Sequence, residues 1–196
     1  KANLKEIFKN SQGIIVPGGF GSRGIEGMIK AITYARTNNV PYLGLCLGMQ
    51  LAVIEFARSV CHLDDVNSTE FDETAKNPII DLMADQKGIL NMGGTLRLGN
   101  YACKIKKDTL AYKVYGQDNI LERHRHRYEF NNKYRDIITD KGMVISGINE
   151  KADLVEMVEI PSNKCFIACQ FHPEFKSRPN RPHPLFDVFI KSALKK

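Results

Sequence analysis

The sequence predicts an α/β protein: an open, mostly parallel sheet flanked by helices, with an antiparallel strand addition. The first observation is the short apolar run at 13–17, which ends in Pro-Gly-Gly as a buried strand does before a loop. The second is the segment 25–37, whose apolar residues recur at the i, i+3, i+4, i+7 spacing of an amphipathic helix. A further strand-like run and helix-like run follow, and this alternation favours a parallel sheet covered by helices.

The remaining elements follow from the same patterns. The apolar run "VPYLGLC" predicts a second buried strand, and residues 47–58 predict a second helix. Residues 88–116 alternate in hydropathy and carry Gly-Gly and Gly-Asn turn signals, which predicts short, partly antiparallel strands. Four more strands are predicted at 125–131, 143–150, 154–161 and 165–173, and a last helix at 184–196.

The composition indicates one soluble domain. The chain has 196 residues, of which 43% are hydrophobic and 26% are charged. No apolar run reaches the ~20 residues of a membrane span, and the first residues show no signal-peptide core. The five cysteines are an odd number without a C-x-x-C pair, which favours a reducing, cytoplasmic location. Two of them, Cys165 and Cys169, are four residues apart and are interpreted as small buried side chains.

The motif G-L-C-L-G places Cys46 where a strand turns into a helix, with a glycine two residues away on each side. A sharp strand-to-helix turn of this kind presents a nucleophile in G-x-S-x-G hydrolases. The positive end of the helix dipole would favour the thiolate, and the N–H of Leu47 would be available to an oxyanion. The alternative is a small core residue in a glycine-rich turn.

A cysteine nucleophile needs a base, and the segment "QFHPEF" at 170–175 offers His172 at the end of another predicted strand. In an extended segment, residues i and i+2 face the same way, so Glu174 is expected to hold the imidazole. The alternative is a surface His-Pro turn. Because strand ends of one α/β sheet build its sites, each candidate supports the other.

The loop "PGGFGSRGIEG" at 17–27 contains G-x-G-x-x-G, formed by Gly19, Gly21 and Gly24. This is the dinucleotide fingerprint, but the expected acid about 20 residues further on is missing from "VPYLGLC". No G-K-[ST] is present either, so the loop is not a P-loop. We therefore expect Gly19 to offer a backbone N–H to an oxyanion.

The basic run "ERHRHRYE" at 122–129 admits three interpretations. As a strand it would carry Arg123, Arg125 and Arg127 on one face and the two histidines on the other. It could contact nucleic acid, bind a carboxylate through an arginine, or form a solvated face with ion pairs. The net charge of +6 permits nucleic acid but does not require it, and no Cys/His spacing supports a metal site.

Three motifs in this order, "PGG", "GLCLG" and "HPE", resemble those of the class I (triad-type) glutamine amidotransferases. Within that family the chain is similar to the C-terminal glutaminase domains of the CTP synthases. The segments that carry this resemblance are "PGGFGSRG", "LGLCLGMQ", "NSTEF", "GGTLRLG", "ERHRHRYE" and "FHPEF". They span nearly the whole chain, so the resemblance implies a single glutaminase domain over 1–196.

The resemblance implies a role for each matching residue. Cys46 would be the nucleophile, His172 the general base and acid, and Glu174 its orienting partner, with Gly19 and Leu47 as oxyanion-hole donors. Glu70 of "NSTEF" would hold the ammonium group of glutamine, and Arg127 its carboxylate. The complete set of implied glutamine-binding residues is Gly19, Phe20, Leu47, Gly48, Met49, Gln50, Glu70 and Arg127, and the implied lid for activation by GTP is Arg23, Gly24 and Glu26.

The resemblance also implies a larger enzyme. Ammonia from L-glutamine would pass to an N-terminal synthetase domain, outside 1–196, which aminates UTP to CTP with ATP and Mg²⁺ and with GTP as activator. That enzyme would be a cytoplasmic homotetramer without nucleic-acid or membrane partners, and the glutaminase domain itself would need no cofactor. Family members carry another strand and helix upstream of "GIIVPGGFG", and we expect either that the sheet of this protein lacks them or that they precede residue 1. The alternative function is a glutaminase-like binding or regulatory domain that is inactive in isolation.

Overall fold

The computed structural model describes residues 3–82 and 96–195. Within these residues ten strands form two sheets, and six α-helices pack around them. The helices α1 to α6 are Leu4–Phe8, Ile25–Thr37, Leu47–Ser59, Leu110–Tyr115, Arg135–Asp140 and Pro184–Leu194. The strands β1 to β10 are Ile14–Val16, Tyr42–Leu45, Val66–Ser68, Asn77–Leu82, Arg97–Ile105, Asn119–His126, Tyr128–Phe130, Val144–Asn149, Leu154–Glu159 and Phe166–Cys169.

The main sheet has the order β1-β2-β10-β9-β8-β5-β6 in the described part of the chain. Strand β2 pairs in parallel with β1 on one side and with β10 on the other, which brings the carboxyl ends of these three strands together. The strands from β9 to β6 continue the sheet in antiparallel pairings. The predicted class is confirmed: a parallel part with helices, extended by antiparallel strands.

Helices cover both faces of the main sheet. Helices α2 and α3 pack on one face, where Ile32, Leu51 and Phe166 belong to the same buried cluster. Helices α4 and α6 pack on the opposite face against a second cluster that includes Leu43 and Ile167. Strand β2 therefore contributes to both clusters, as expected for a central strand buried on both sides.

The predicted helix at 25–37 coincides with α2, and the predicted second helix matches α3 to within a residue at its end. The prediction of strands throughout 88–116 is wrong at its end, because residues 110–115 form helix α4. The Thr109 hydroxyl accepts the N–H of Tyr112 and so caps this helix. Residues 88–95 of that prediction lie outside the described residues.

A smaller sheet of β3, β4 and β7 lies beside α3. Strand β3 carries the start of "NSTEF", and β7 follows the basic run of β6. This sheet therefore brings the loop that carries Glu70, and the end of the basic run, toward the carboxyl end of β2. In the described ranges, no helix is both long and apolar enough to cross a membrane.

Candidate active site

Cys46 occupies the turn between β2 and α3 with φ 50° and ψ −101°, a backbone conformation that costs energy for a residue with a Cβ. Hydrogen bonds hold it in place. The N–H of Cys46 donates to the Cys169 carbonyl at 2.8 Å, and its carbonyl accepts the N–H of Met49 at 3.0 Å. The strained turn predicted from G-L-C-L-G is therefore present, and the adjoining strand β10 supports it.

The two flanking glycines allow the first turn of α3 to approach the sheet. A Cβ at Gly48 would lie 2.1 Å from the Val16 carbonyl oxygen of β1. A Cβ at Gly44 would lie 2.8 Å from the backbone of Gly48 and 2.9 Å from the Cβ of Ala168. Side chains at either position would push the helix off the strands and move the nucleophile with it.

His172 follows the end of β10, and its backbone N–H donates to the Arg123 carbonyl at 2.8 Å. Its Nδ1 lies 2.5 Å from the Glu174 carboxylate, so the predicted pair forms. The expectation that residues 172–174 are extended is wrong, because Pro173–Phe175 form a 3-10 helix that turns Glu174 back toward the imidazole. Phe175 stacks on the imidazole with ring centroids 5.1 Å apart.

One cavity of about 630 Å³ contains these groups. Cys46, His172 and Glu174 all line it, and the Nε2 of His172 is buried with no hydrogen-bond partner within the described ranges. The predicted residues that also line it are Gly19, Phe20, Gln50, Glu70 and Arg127. The structure thus places the three candidate catalytic groups around one cavity, together with the carboxylate of Glu70 and the guanidinium of Arg127.

The environment of Cys46 does not favour the thiolate as the helix dipole alone suggested. Burial raises the pKa of Cys46 to about 12, and the charges of Glu129, Glu174 and Glu70 raise it further, whereas the N–H of Leu47 lowers it. The sulfur therefore carries its proton at neutral pH, because burial outweighs the contribution expected from the helix dipole.

The backbone N–H of Leu47 lowers the pKa of the Cys46 thiol, which places this group near the sulfur. Gly19 lies beside it, since a Cβ at Gly19 would be 3.0 Å from a methyl carbon of Leu47. Leu47, Gly48 and Met49 are implied glutamine contacts, but none of the three is among the residues that line the cavity. Met49 is fully buried in the core, and the Gly48 carbonyl accepts the Tyr42 hydroxyl at 2.8 Å.

The implied lid residues lie at the start of α2, outside the lining of the cavity. Gly24 has φ 79° and caps the helix, and Arg23 is exposed. Glu26 forms an ion pair with Arg58 of α3 at 2.9 Å. The loop before them is tied to the cavity, because the N–H of Gly21 donates to the Glu70 carboxylate at 2.9 Å.

Comparison with known proteins identifies the family. The family model "Glutamine amidotransferase class-I" matches residues 1–192. The solved glutaminase domain of Trypanosoma brucei CTPS with bound acivicin superposes with a TM-score of 0.92 at 39% identity, over 98% of this chain and 75% of that one. The chain belongs to the class I glutamine amidotransferases, as a glutaminase domain of the CTP synthase type.

Curated CTP synthases are more similar still in sequence. Those of Geotalea uraniireducens and Staphylococcus saprophyticus are each 60% identical to this chain, over 93% and 98% of its length. The chain spans only 34% and 36% of those two proteins, about a third. It therefore corresponds to one part of a longer kind of protein.

The basic run separates into the two predicted faces at the wall of the cavity, which Arg125 and His126 also line. The alternation of β6 exposes Arg123 and Arg125 and buries His124 and His126. The Nδ1 of His124 lies 2.8 Å from the Nε2 of His126, and burial lowers the pKa of His124 to about 3. Burial lowers the pKa of His126 as well, so both histidines are neutral at physiological pH. The described residues hold no cluster of three or more side chains suited to bind a metal ion.

A buried arginine lies next to these histidines, since Arg97 pairs with His126 across the strands β5 and β6. Arg97 of β5 contacts the carboxylates of Glu129 and Glu156 at 3.1 and 2.7 Å. Burial and the neighbouring Glu156 raise the pKa of Glu129 to about 8, although Arg97 opposes this rise. One guanidinium faces two carboxylates here, so a proton on Glu129 reduces their repulsion.

The sequence reasoning missed several residues at the site. Gly18 lies against both His172 and Cys46, and Phe175 stacks on the imidazole. Gln170 is fully buried and reaches the Cys46 sulfur. The only signal for Gln170 and Phe175 was their place in "QFHPEF", next to the predicted base.

Proposed function

We propose that this glutaminase domain hydrolyses L-glutamine through a thioester on Cys46, with His172 as general base and acid and Glu174 as its orienting group. The observation that carries the proposal is the shared cavity. There a cysteine on a strained turn meets an imidazole whose Nδ1 contacts Glu174 and whose Nε2 has no partner in the described parts of the chain.

Substrate binding follows from the charges of the lining. An amino acid presents an ammonium and a carboxylate, and the cavity offers Glu70 for the first and Arg127 for the second. A glutamine held at both groups would extend its side-chain amide toward Cys46. The contact of Glu70 with the Gly21 N–H would couple substrate binding to the loop that carries Gly19 and Phe20.

Attack begins with proton transfer from the Cys46 sulfur to the Nε2 of His172. Because burial keeps the thiol protonated at rest, the base must act as the substrate binds and reacts. Glu174 stabilises the imidazolium that forms. Burial raises the pKa of Glu174, but the hydrogen bonds from His172 and the backbone lower it by more, so the carboxylate stays ionised.

The carbonyl oxygen of the tetrahedral intermediate would receive the N–H groups of Leu47 and Gly19. One such donor typically contributes about 10²–10³ in rate. His172 then donates its proton to the leaving nitrogen, the C–N bond of the tetrahedral intermediate breaks, and ammonia departs to leave the thioester. A water molecule, deprotonated by His172, hydrolyses the thioester to glutamate and restores the thiol.

For the whole protein we propose the reaction of its CTP synthase relatives. Residues 1–196 would be the glutaminase domain, and a synthetase domain would use the ammonia to aminate UTP with ATP and Mg²⁺ in a cytoplasmic homotetramer. GTP would activate through the segment with Arg23, Gly24 and Glu26, which is connected to the cavity by its preceding loop. The support is the 60% identity to CTP synthases, of which this chain spans about a third.

Glutamate release by the full-length protein tests the proposal. Cys46→Ala is expected to abolish release, whereas the matched variant Cys61→Ala, at a half-buried cysteine just after α3, should retain it. Acivicin, which the T. brucei relative binds, should add mass at Cys46 and at no other cysteine. If the domain only binds glutamine, the wild type and Cys61→Ala would both bind it but neither would release glutamate.

A further inference from the structure

Gln170 is a fully buried amide at the end of β10, two residues before His172. Its backbone N–H donates to the Glu156 carbonyl at 2.8 Å, which holds it to strand β9. Its side-chain Nε2 lies 3.7 Å from the Cys46 sulfur, within hydrogen-bonding range for sulfur. The mechanism above assigns it no role.

A backbone carbonyl determines which way this amide points. The Tyr128 carbonyl can only accept, so the group of Gln50 that lies 3.1 Å from it must be the amide Nε2. That same nitrogen then donates at 3.3 Å to Gln170, whose facing atom must be Oε1. The remaining atom of the Gln170 amide, its N–H₂ group, is therefore the one that faces the sulfur.

We propose that Gln170 is a positioning residue for the nucleophile: its side-chain N–H donates to the Cys46 sulfur and stabilises the thiolate that forms as the proton moves to His172. A thiol sulfur accepts hydrogen bonds weakly, whereas a thiolate accepts a charge-assisted one. The interaction is thus stronger after proton transfer than before it, which is the condition for accelerating the step. This inference rests on the proposed nucleophilic role of Cys46.

The surroundings of the sulfur show why such a donor matters. Burial and the charges of Glu129, Glu174 and Glu70 all oppose ionisation of Cys46. The N–H of Leu47 opposes their effect, but this group is also needed by the oxyanion of the substrate. Gln170 supplies a donor that stays with the sulfur, and through Gln50 it is connected to the floor of the cavity.

Two variants in the full-length protein test the proposal. Gln170→Leu removes the donor at similar size, and Gln170→Glu keeps the shape but replaces the N–H₂ with a carboxylate oxygen. Because a hydrogen bond to a charged group is at stake, kcat for glutamate release should fall about 10- to 100-fold, with KM changed less than about threefold. At a fixed pH of about 9, the rate at which iodoacetamide alkylates Cys46 should fall about tenfold or more, and further for Gln170→Glu, because a smaller fraction of the sulfur is ionised when the donor is lost.

The control is Gln117→Glu, which adds the same charge at an exposed position outside the cavity and should alter neither readout. Thermal unfolding identifies variants that fail to fold, and the isosteric Gln170→Glu then carries the test. Alkylation at the wild-type rate together with kcat within twofold of wild type would overturn the proposal. If the wild type itself released no glutamate, the proposed function would fail, while the alkylation rates would still decide the role of Gln170.

Discussion

Gly18 lies between the nucleophile and the base, and replacing it with alanine perturbs the two without removing either. A Cβ at this position would be 2.7 Å from the Cε1 of His172, whereas it would meet the Cβ of Cys46 at an ordinary 3.6 Å. The added methyl group therefore presses on the imidazole alone. The ring is held on its other sides by Glu174 at Nδ1 and by the stacked Phe175.

The size of the effect follows from the overlap. Ordinary contact of a Cβ begins near 3.4 Å, so the imidazole of His172 or the loop that carries Gly18 must move by about 0.7 Å. A displacement of about 1 Å in a catalytic group costs about 10²-fold in rate. We therefore expect Gly18→Ala to lower kcat about 10- to 100-fold, which corresponds to about 1.4–2.7 kcal/mol of transition-state stabilisation.

The assay is steady-state glutamate release by the full-length protein, with thermal unfolding measured in parallel. Gly27→Ala is the matched control, since this glycine lies exposed within α2 and an added Cβ would contact nothing within 4 Å. That variant should keep kcat and gain about 0.5–1 kcal/mol of stability from its helical position. A Gly18→Ala protein with unchanged kcat and unchanged melting temperature would refute the argument that the imidazole is in contact with this backbone.

Four further predictions concern binding, orientation, pH and packing. Arg127→Ala should raise KM for glutamine about tenfold or more with a smaller change in kcat. A KM equal to that of the wild type would show that Arg127 does not bind the substrate. Glu174→Gln should lower kcat about 10- to 100-fold at unchanged KM, measured as initial rates over a range of glutamine concentrations, and a kcat equal to that of the wild type would contradict this. The pKa of His124 falls from 6.5 to about 3 on folding, so the unfolded chain binds more protons between these values. This contribution to stability should decline as pH drops below about 6.5, whereas the raised pKa of Glu129 acts in the opposite direction below about 8. The urea midpoint of His124→Asn should therefore fall less between pH 7 and 5 than that of the wild type, and an equal pH dependence of the two proteins would contradict this. Gly48→Ala, whose Cβ would lie 2.1 Å from the Val16 carbonyl, should yield little soluble protein, and a soluble variant with native melting temperature would contradict the packing argument.

Local patterns in the sequence were sufficient for the elements that carry the site. The helical spacing at 25–37 and the apolar run before Cys46 depend only on neighbours a few residues apart, and both elements formed as predicted. The glycines around Cys46 predicted a tight turn for the same local reason. Elements that are stabilised by residues outside their own segment are harder to predict. The segment of α4 was predicted as a strand, but it forms a helix whose start is stabilised by the Glu159 carboxylate, which accepts the N–H of Leu110.

The contacts that decide the chemistry come from tertiary structure, because they join residues far apart in the chain. The pKa of the Cys46 thiol depends on burial and on Glu129, Glu174 and Glu70, none of which is near it in sequence, so the local dipole argument accounts for only one of the contributions. The direction of the Gln170 amide depends on a carbonyl of β7 acting through Gln50. The segment order and the residue types of the site could be read from the sequence, whereas its protonation and hydrogen bonding were set only when α3, β10 and β7 met at one edge of the sheet.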